Sequence, residues 1–242
     1  MEQPKYQRVL LKISGEALAS QAGRGIDFSF ARQVCQVVKD CVSHGVQVGL
    51  VVGGGNFWRG VKDGGGNMER VRADQMGMLA TVINSLALQD VLEQVGQPAR
   101  VLTSIPMGPV GEICSRPAAE RYLQEGTVVI FAGGTGNPYF STDTAAVLRA
   151  AEIQADMILL AKNIDGVYSA DPKKDPSAVK YDAISYDRVL ADRLQVMDLT
   201  ATSLALDNHI PVMVFALADP ENILRAVMGE SVGTIVEEEK KS

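Results

Sequence analysis

The chain has 242 residues, 46% of them hydrophobic and 21% charged, and it carries a formal net charge of −6. That length accommodates one large or two small domains with an ample core. The acidic balance excludes a surface built for nucleic acid or another polyanion, so any bound phosphate must be held by a few local cations.

The first apolar run is RVLLKIS (8–14). In DFSFARQVCQVVKDCVSHG, Phe30, Val34, Val37, Val38 and Cys41 then fall on one stripe of a helix, with Asp27 as N-cap and Gly45 as the stop. VQVGLVVG (46–53) is the next strand, followed by a long helix over 68–95 that ends at Gly96. ARVLTSI (99–105), a helix over 117–125, TVVIFAGG (127–134), a helix over 142–155 and DMILLAKN (156–163) continue the alternation. SADPKKDPSAVKYDAIS (169–185) reads as a long irregular loop. Helices over 186–193 and 199–208, the strand PVMVFAL (211–217), a helix over 220–229 and the strand TIVEE (234–238) complete the chain. That last helix opens Asp219-Pro220-Glu221, an N-cap followed by the favoured first-turn proline. Runs that are apolar throughout, without alternation, predict strands covered on both faces. Strands alternating with helices predict an α/β fold with a mostly parallel central sheet. One domain over 1–242 is expected, with a soft division into two lobes near 165–185.

Cys35, Cys41 and Cys114 have no CxxC spacing, and with only His44 and His209 besides, no His/Cys metal site can be assembled. Buried thiols in a reducing cytoplasm are the expectation. The N-terminal MEQPKYQRVLLKIS holds no apolar run of signal-peptide length, and no membrane partner is expected.

The strand ends carry the chemistry. Lys12-Ile13-Ser14-Gly15-Glu16 follows the first strand, and Gly53-Gly54-Gly55-Asn56 follows the second with Arg59 behind it. Gly133-Gly134-Thr135-Gly136-Asn137-Pro138 leads to Ser141-Thr142-Asp143, and Lys162-Asn163-Ile164-Asp165-Gly166 closes the next strand. Glycine is entropically costly to order, so its clustering calls for a tight turn or an anion that touches bare backbone. A tight connection explains any single loop. Several such loops at strand carboxyl ends, each beside a hydroxyl or a cation, predict a multi-phosphate site.

GxxxxGK[ST] is absent, and GxGxxG fails because Trp58 stands where its third glycine belongs. The phosphates must then be held by cations from separate strands, a layout that suits phosphoryl transfer. Lys12 is the candidate to bridge donor and acceptor phosphates, although a solvated strand-end lysine would read the same. Asp143, Asp171 and Asp198 are candidates to hold Mg²⁺ or orient a lysine. Each has a purely local reading too: a first-turn acid, a DP turn and an N-cap.

KISGEAL (12–18), VVGGGNFWRG (51–60), RADQMGMLATVINSLAL (72–88), FAGGTGNPYFSTDTAA (131–146), NIDGVYSADP (163–172) and VMDLTATSLALDNHIPVMVF (196–215) resemble, in order, the bacterial uridylate kinases of the amino-acid-kinase superfamily. The resemblance runs from residue 8 to 237. It implies a three-layer α/β/α fold and transfer of the ATP γ-phosphoryl group to UMP, giving UDP in de novo pyrimidine nucleotide synthesis, with Mg²⁺ carried on ATP and no tight metal site of the protein's own. The UMP site would lie mainly in 50–143 and the ATP site mainly in 155–220. Lys12, Ile13, Ser14, Gly15, Gly55 and Arg59 look like ATP-phosphate ligands, and Lys162, Asn163, Tyr168 and Asp171 resemble the ATP base and ribose pocket. Gly54 looks like a UMP contact and Asp74 like the acid that accepts the ribose hydroxyls. Thr135, Gly136, Asn137, Pro138, Tyr139, Phe140, Ser141 and Thr142 resemble the UMP-binding loop. Asp198 matches the acid that orients the catalytic lysine, and the catalytic set implied is Lys12, Asp198, Arg59 and Asp143.

Two positions depart from that pattern. Lys162-Asn163 stands where some members carry Thr-Lys, leaving open which side chain reaches ATP. Ser20, Gln21, Ala22, Gly23, Arg24 and Gly25 occupy the family's allosteric GTP region, with Arg24 where an aromatic is common. The resemblance also implies GTP activation, UTP inhibition and a homohexamer, whose interface the stripe Met76, Met78, Leu79, Val82, Ile83 and Leu86 could supply; plain core packing would give the same stripe. The rival readings are a kinase of a carboxylate or carbamate, which leaves Asp74 and the GNPYFST loop (136–142) idle, and a nucleotide-binding regulator without turnover.

Overall fold

The computed structural model describes residues 3–20, 23–59, 63 and 68–239. Strand β1 (Arg8–Ile13) lies parallel to β2 (Gln47–Val52), with Lys12 opposite Val51. The chain then builds outward: β5 (Val128–Ala132) joins β2, β3 (Ala99–Thr103) joins β5, and β4 (Glu112–Ile113) forms the edge. It returns to the far side of β1, where β6 (Met157–Lys162) and β10 (Val212–Ala216) add in parallel. Antiparallel β11 (Thr234–Glu237) follows, and β9 (Ala183–Ser185) closes that edge. The order β4-β3-β5-β2-β1-β6-β10-β11-β9 makes one nine-stranded sheet. Growth reverses at β1, and such a reversal opens a crevice beyond the strands' carboxyl ends. Lys12 sits there.

Successive strand residues point to opposite faces, so each strand feeds two cores. Leu11, Ile13 and Leu50 pack with α1 (Phe28–Ser43), α2 (Arg70–Gln94) and α7 (Asn222–Met228) through Val34, Val38, Leu88, Val91, Ile223 and Val227. Leu10, Val51 and Leu160 pack with α3 (Arg116–Gln124), α4 (Thr142–Glu152), α5 (Tyr186–Ala191) and α6 (Leu199–Asp207) through Leu123, Val147, Val189 and Ala205. These are the three layers. At about 1.5–3 kcal/mol for each large apolar side chain, burial on both faces explains why these strands are apolar throughout.

Asp27 caps α1, accepting from the Ser29 and Phe30 amides at 3.0 Å, and Gly45 beyond it has φ 87°. Two expectations need correction. The segment 169–185 is not wholly irregular: β7 (Val167–Tyr168) pairs antiparallel with β8 (Lys180–Tyr181), and β9 lies at its end. Strands this short show no periodicity to read. The helix expected over 220–229 begins at Asn222, because Asp219 Oδ1 accepts the Glu221 amide at 3.1 Å and holds that turn outside the helix. No helix among the described residues is long and apolar enough to cross a membrane. Burial pushes the Cys35 and Cys41 thiols up to about 12 and raises that of Cys114.

Candidate active site

The crevice over β1 holds a compact charge cluster. Lys12, 6% exposed, places its Nζ 2.6 Å from Asp143 Oδ1. Asp143 is presented by the first turn of α4, whose N-cap Ser141 accepts the Asp143 and Thr144 amides at 3.0 and 3.1 Å. Asp198 caps α6 through the Ala201 amide at 2.9 Å, and it also accepts from Ser141 Oγ and, at 3.2 Å, from Thr144 Oγ1. The partner of the lysine is therefore Asp143. Asp198 makes its contacts to the α4 N-terminus instead, binding the turn on which Asp143 sits. Lys162, at the end of β6, donates to the Val196 carbonyl. Burial holds its pKa below that of an ordinary lysine, with Asp143 and Asp198 pulling upward and Lys12 adding to the downward push. Two cations and two carboxylates thus share one desolvated volume, where charge interacts strongly.

The glycine run in the second loop resolves into two uses. A Cβ at Gly54 would stand 2.8 Å from Ala80 Cβ and 2.9 Å from the Gly77 carbonyl of α2, and one at Gly15 would stand 2.4 Å from the Gly53 carbonyl. These glycines let two strand-end loops and a helix touch. Of the two uses expected of clustered glycine, Gly15 and Gly54 serve close contact within the chain. Gly55 is under no such constraint: the nearest atoms to a Cβ there would be side-chain atoms of Glu16 at 3.5 Å and Arg59 Nε at 3.6 Å. Arg59 pairs with Glu16, and its Nε lies 3.3 Å from the Gly55 carbonyl. Ser14 precedes a single 3-10 turn, Gly15–Leu18.

Beside the cluster is a cavity of about 280 Å³ lined by Gly54, Trp58, Arg59, Asp74, Gly134, Thr135, Asn137 and Ser141. The 133–142 loop that walls it carries left-handed backbone at Gly133, Gly134, Gly136 and, unusually, Tyr139, with φ 71°. Asp74 anchors that loop: its Oδ2 accepts the Tyr139 amide at 2.8 Å and Arg70 Nε at 2.8 Å, and Arg70 stacks 5.1 Å from the Tyr139 ring. Oδ1 remains unengaged among the described residues. Pro138, Phe140 and Thr142 lie along the same loop, with Phe140 and Thr142 on the cavity wall. Opposite, Trp58 Nε1 donates to the Ala73 carbonyl at 2.9 Å, and its indole lies over Gly77.

Sequence reasoning missed Trp58, Gly77, Met78 and Thr81 on this wall. A glycine inside a helix, costly for helix stability, was the available signal at Gly77, although a Cβ there would stand no nearer than 4.0 Å to Trp58. The residues expected around the ATP base are spread more widely. Asn163 is exposed, Tyr168 on the β7–β8 hairpin donates to Asp165 at 2.8 Å, and Asp171 closes an exposed turn on the Lys173 amide at 3.0 Å. Lys162 points away from them, into the charge cluster. Of the expected GTP region, Gln21 and Ala22 lie outside the described residues. Ser20 Oγ donates to the Arg24 carbonyl at 2.6 Å, Gly23 has φ 73°, and Gly25 exchanges bonds with Asn56, whose amide interlocks with Asn84 of α2 at 2.7 and 2.9 Å.

The model of the amino acid kinase family matches residues 7–216. Among solved structures, the UMP kinase of Bacillus anthracis is 40% identical, with a TM-score of 0.93 and 97% of each chain covered. The UMP kinase of Ureaplasma parvum is 36% identical, with a TM-score of 0.91 over 97% of this chain and 100% of that one. The uridylate kinase of Archaeoglobus fulgidus is 31% identical, with a TM-score of 0.73 over 94% of this chain and 99% of that one. With lysine, carboxylates and glycine loops converging over a parallel sheet, and with those likenesses along nearly its whole length, the chain belongs to the amino acid kinase family.

Proposed function

We propose that this protein is a UMP kinase, transferring the γ-phosphoryl group of ATP to UMP and releasing ADP and UDP in the cytoplasm. The observation that carries the reading is the Lys12–Asp143 pair standing at the sheet's point of reversal, next to a cavity whose wall offers both a free carboxylate oxygen and a glycine-rich loop. An oxygen of the UMP phosphate attacks the γ-phosphorus while the bond to the β-phosphate oxygen breaks, so no protein nucleophile is required. Lys12 meets the charge that spreads over the migrating group, and Arg59 and the Lys162 ammonium add to the positive field. Asp143 keeps Lys12 aimed, and Asp198 keeps Asp143 in place through Ser141 and Thr144. Asp74 Oδ1 is the acceptor for the ribose hydroxyls, and the 133–142 backbone meets base and phosphate.

No group of three or more His, Cys, Asp or Glu among the described residues could hold a metal. A Mg²⁺ that arrives on ATP suits such a site, because Mg²⁺ commonly uses one or two carboxylates together with substrate phosphates. Asp143 and Asp198 are the carboxylates that would hold it, and it would neutralise charge on the transferred phosphates. The ATP base and ribose are assigned to the 163–171 side of the cleft.

A coupled assay of ATP with UMP and with a panel of small carboxylic acids tests the reading. UDP should form. Turnover of a small acid but not of UMP, or ATP binding without any UDP, would remove it. GTP activation and UTP inhibition are part of the same proposal, and adding each nucleotide to that assay checks them.

Assembly into a homohexamer is also proposed. Helix α2 is apolar outward as well as inward: Met78 and Val82 are buried, whereas Met76, Leu79, Ile83 and Leu86 are 37%, 46%, 49% and 39% exposed. A stripe at this spacing on a helix suits a matching stripe on a second copy. Ile83→Glu should shift the protein to smaller species in sedimentation velocity. An unchanged sedimentation coefficient would remove α2 from the interface.

A further inference from the structure

Helix α4 holds an arginine that the reaction does not use. The Arg149 side chain is only 9% exposed, and its Nε has no hydrogen-bond partner. A guanidinium taken this far from water is costly unless its partners compensate. One partner is Glu152, at 2.5 Å from Nη1, and the other is Ser104 Oγ, at 3.0 Å from Nη2. The cation also lies 6.0 Å from the Phe131 ring centre.

Ser104 follows β3 directly, and its amide continues the ladder to the Ala132 carbonyl at 2.9 Å, so its backbone is fixed. Its hydroxyl donates to the Gly134 carbonyl at 2.7 Å. A hydroxyl has one proton to give. With the guanidinium already donating to Oγ, that proton has a single use, the Gly134 carbonyl, and each bond polarises the next. The loop being held is otherwise hard to define: Gly133, Gly134 and Gly136 have φ of 81°, 61° and 80°, where glycine moves freely. Because the Gly134–Thr135 peptide is planar and trans, pinning the carbonyl on Ser104 turns the Thr135 N–H to the opposite side. That N–H has no partner among the described residues, and Gly134 and Thr135 both line the 280 Å³ cavity.

We infer that Arg149 and Ser104 are positioning residues for acceptor binding: a buried relay from Glu152 through Arg149 and Ser104 sets the Gly134–Thr135 peptide so that its N–H faces the acceptor nucleotide. The inference rests on the UMP kinase reading for the identity of that acceptor, not for the relay itself.

Three single variants and one double variant test it. Ser104→Ala and Arg149→Met should each raise the UMP KM about tenfold, the scale of one misdirected buried hydrogen bond, while the ATP KM and kcat stay within about twofold. Arg149→Lys, which can still donate to Ser104, should recover most of the UMP affinity. The double variant should be no worse than Ser104→Ala alone, since both changes break one path. Amide hydrogen exchange over 132–140, measured without nucleotide, should quicken in Ser104→Ala and in Arg149→Met. A purely structural arginine would lower Tm and leave the UMP KM unchanged, which would overturn the relay, as would additive losses or unaltered exchange. Wild-type protein that makes no UDP would instead sink the acceptor assignment, and the exchange result would still decide the relay.

Discussion

Lys12→Ala is expected to abolish nearly all UDP formation while UMP binding survives. Lys12 is the buried cation at the end of β1, held 2.6 Å from Asp143, and the cavity proposed for UMP lies to one side of it. Loss of a preorganised group that stabilises transition-state charge costs about 10²–10³-fold in kcat, roughly 3–4 kcal/mol. Removal of the ammonium also leaves Asp143 as a buried acid beside Lys162 alone, so the substitution disturbs the whole cluster and the loss should lie at the upper end. Single-turnover rates report the chemical step, and calorimetric titration with UMP reports binding. A variant that keeps more than a tenth of the wild-type rate would show that Lys12 does not face the migrating phosphoryl group.

Asp74→Ala should act on the other parameter. Its carboxylate is expected to accept ribose hydroxyls through Oδ1 while Oδ2 holds the Tyr139 amide and Arg70, each at 2.8 Å. Charge-assisted hydrogen bonds contribute about 1.5–3 kcal/mol each, so the UMP KM should rise on the order of 10–100-fold. The ATP KM should change little, because no donor-side residue touches this carboxylate. Loss of the Tyr139 anchor would also loosen the loop, which adds to the UMP effect and not to the ATP effect. Equal increases in both constants would take Asp74 out of the ribose site.

Much of this was legible in the residues and some of it could not be. The strands of the main sheet announce themselves because both faces are buried, and Asp27 and Gly45 mark the ends of α1. Strands of two or three residues, such as β4 and β8, present no pattern and are set by their neighbours. In the site, Asp74 is marked only by the family resemblance, whereas Lys12, Arg59 and the 133–142 loop each stand out singly as chemistry. Their pairing does not. Asp198 reads as an N-cap, and it is one; that the same carboxylate also reaches Ser141 and Thr144 follows from α6 lying beside α4, a tertiary fact. The glycines stay ambiguous for a similar reason. A glycine that admits a ligand and a glycine that admits a neighbouring loop look alike until the neighbour is seen, and Gly15 meets the Gly53 carbonyl. Lys162 was itself expected in the ATP pocket, yet its ammonium turns to the Val196 carbonyl, because a strand end can point a side chain either way.

One feature of the cavity wall has a practical side. The chain contains a single tryptophan, Trp58, and it stands where the acceptor would lodge, hydrogen-bonded to Ala73. Tryptophan emission, excited at wavelengths the six tyrosines do not absorb, therefore originates at one spot. The protein carries its own optical gauge of occupancy there, and it needs no dye, no label and no coupled enzyme to follow a nucleotide arriving.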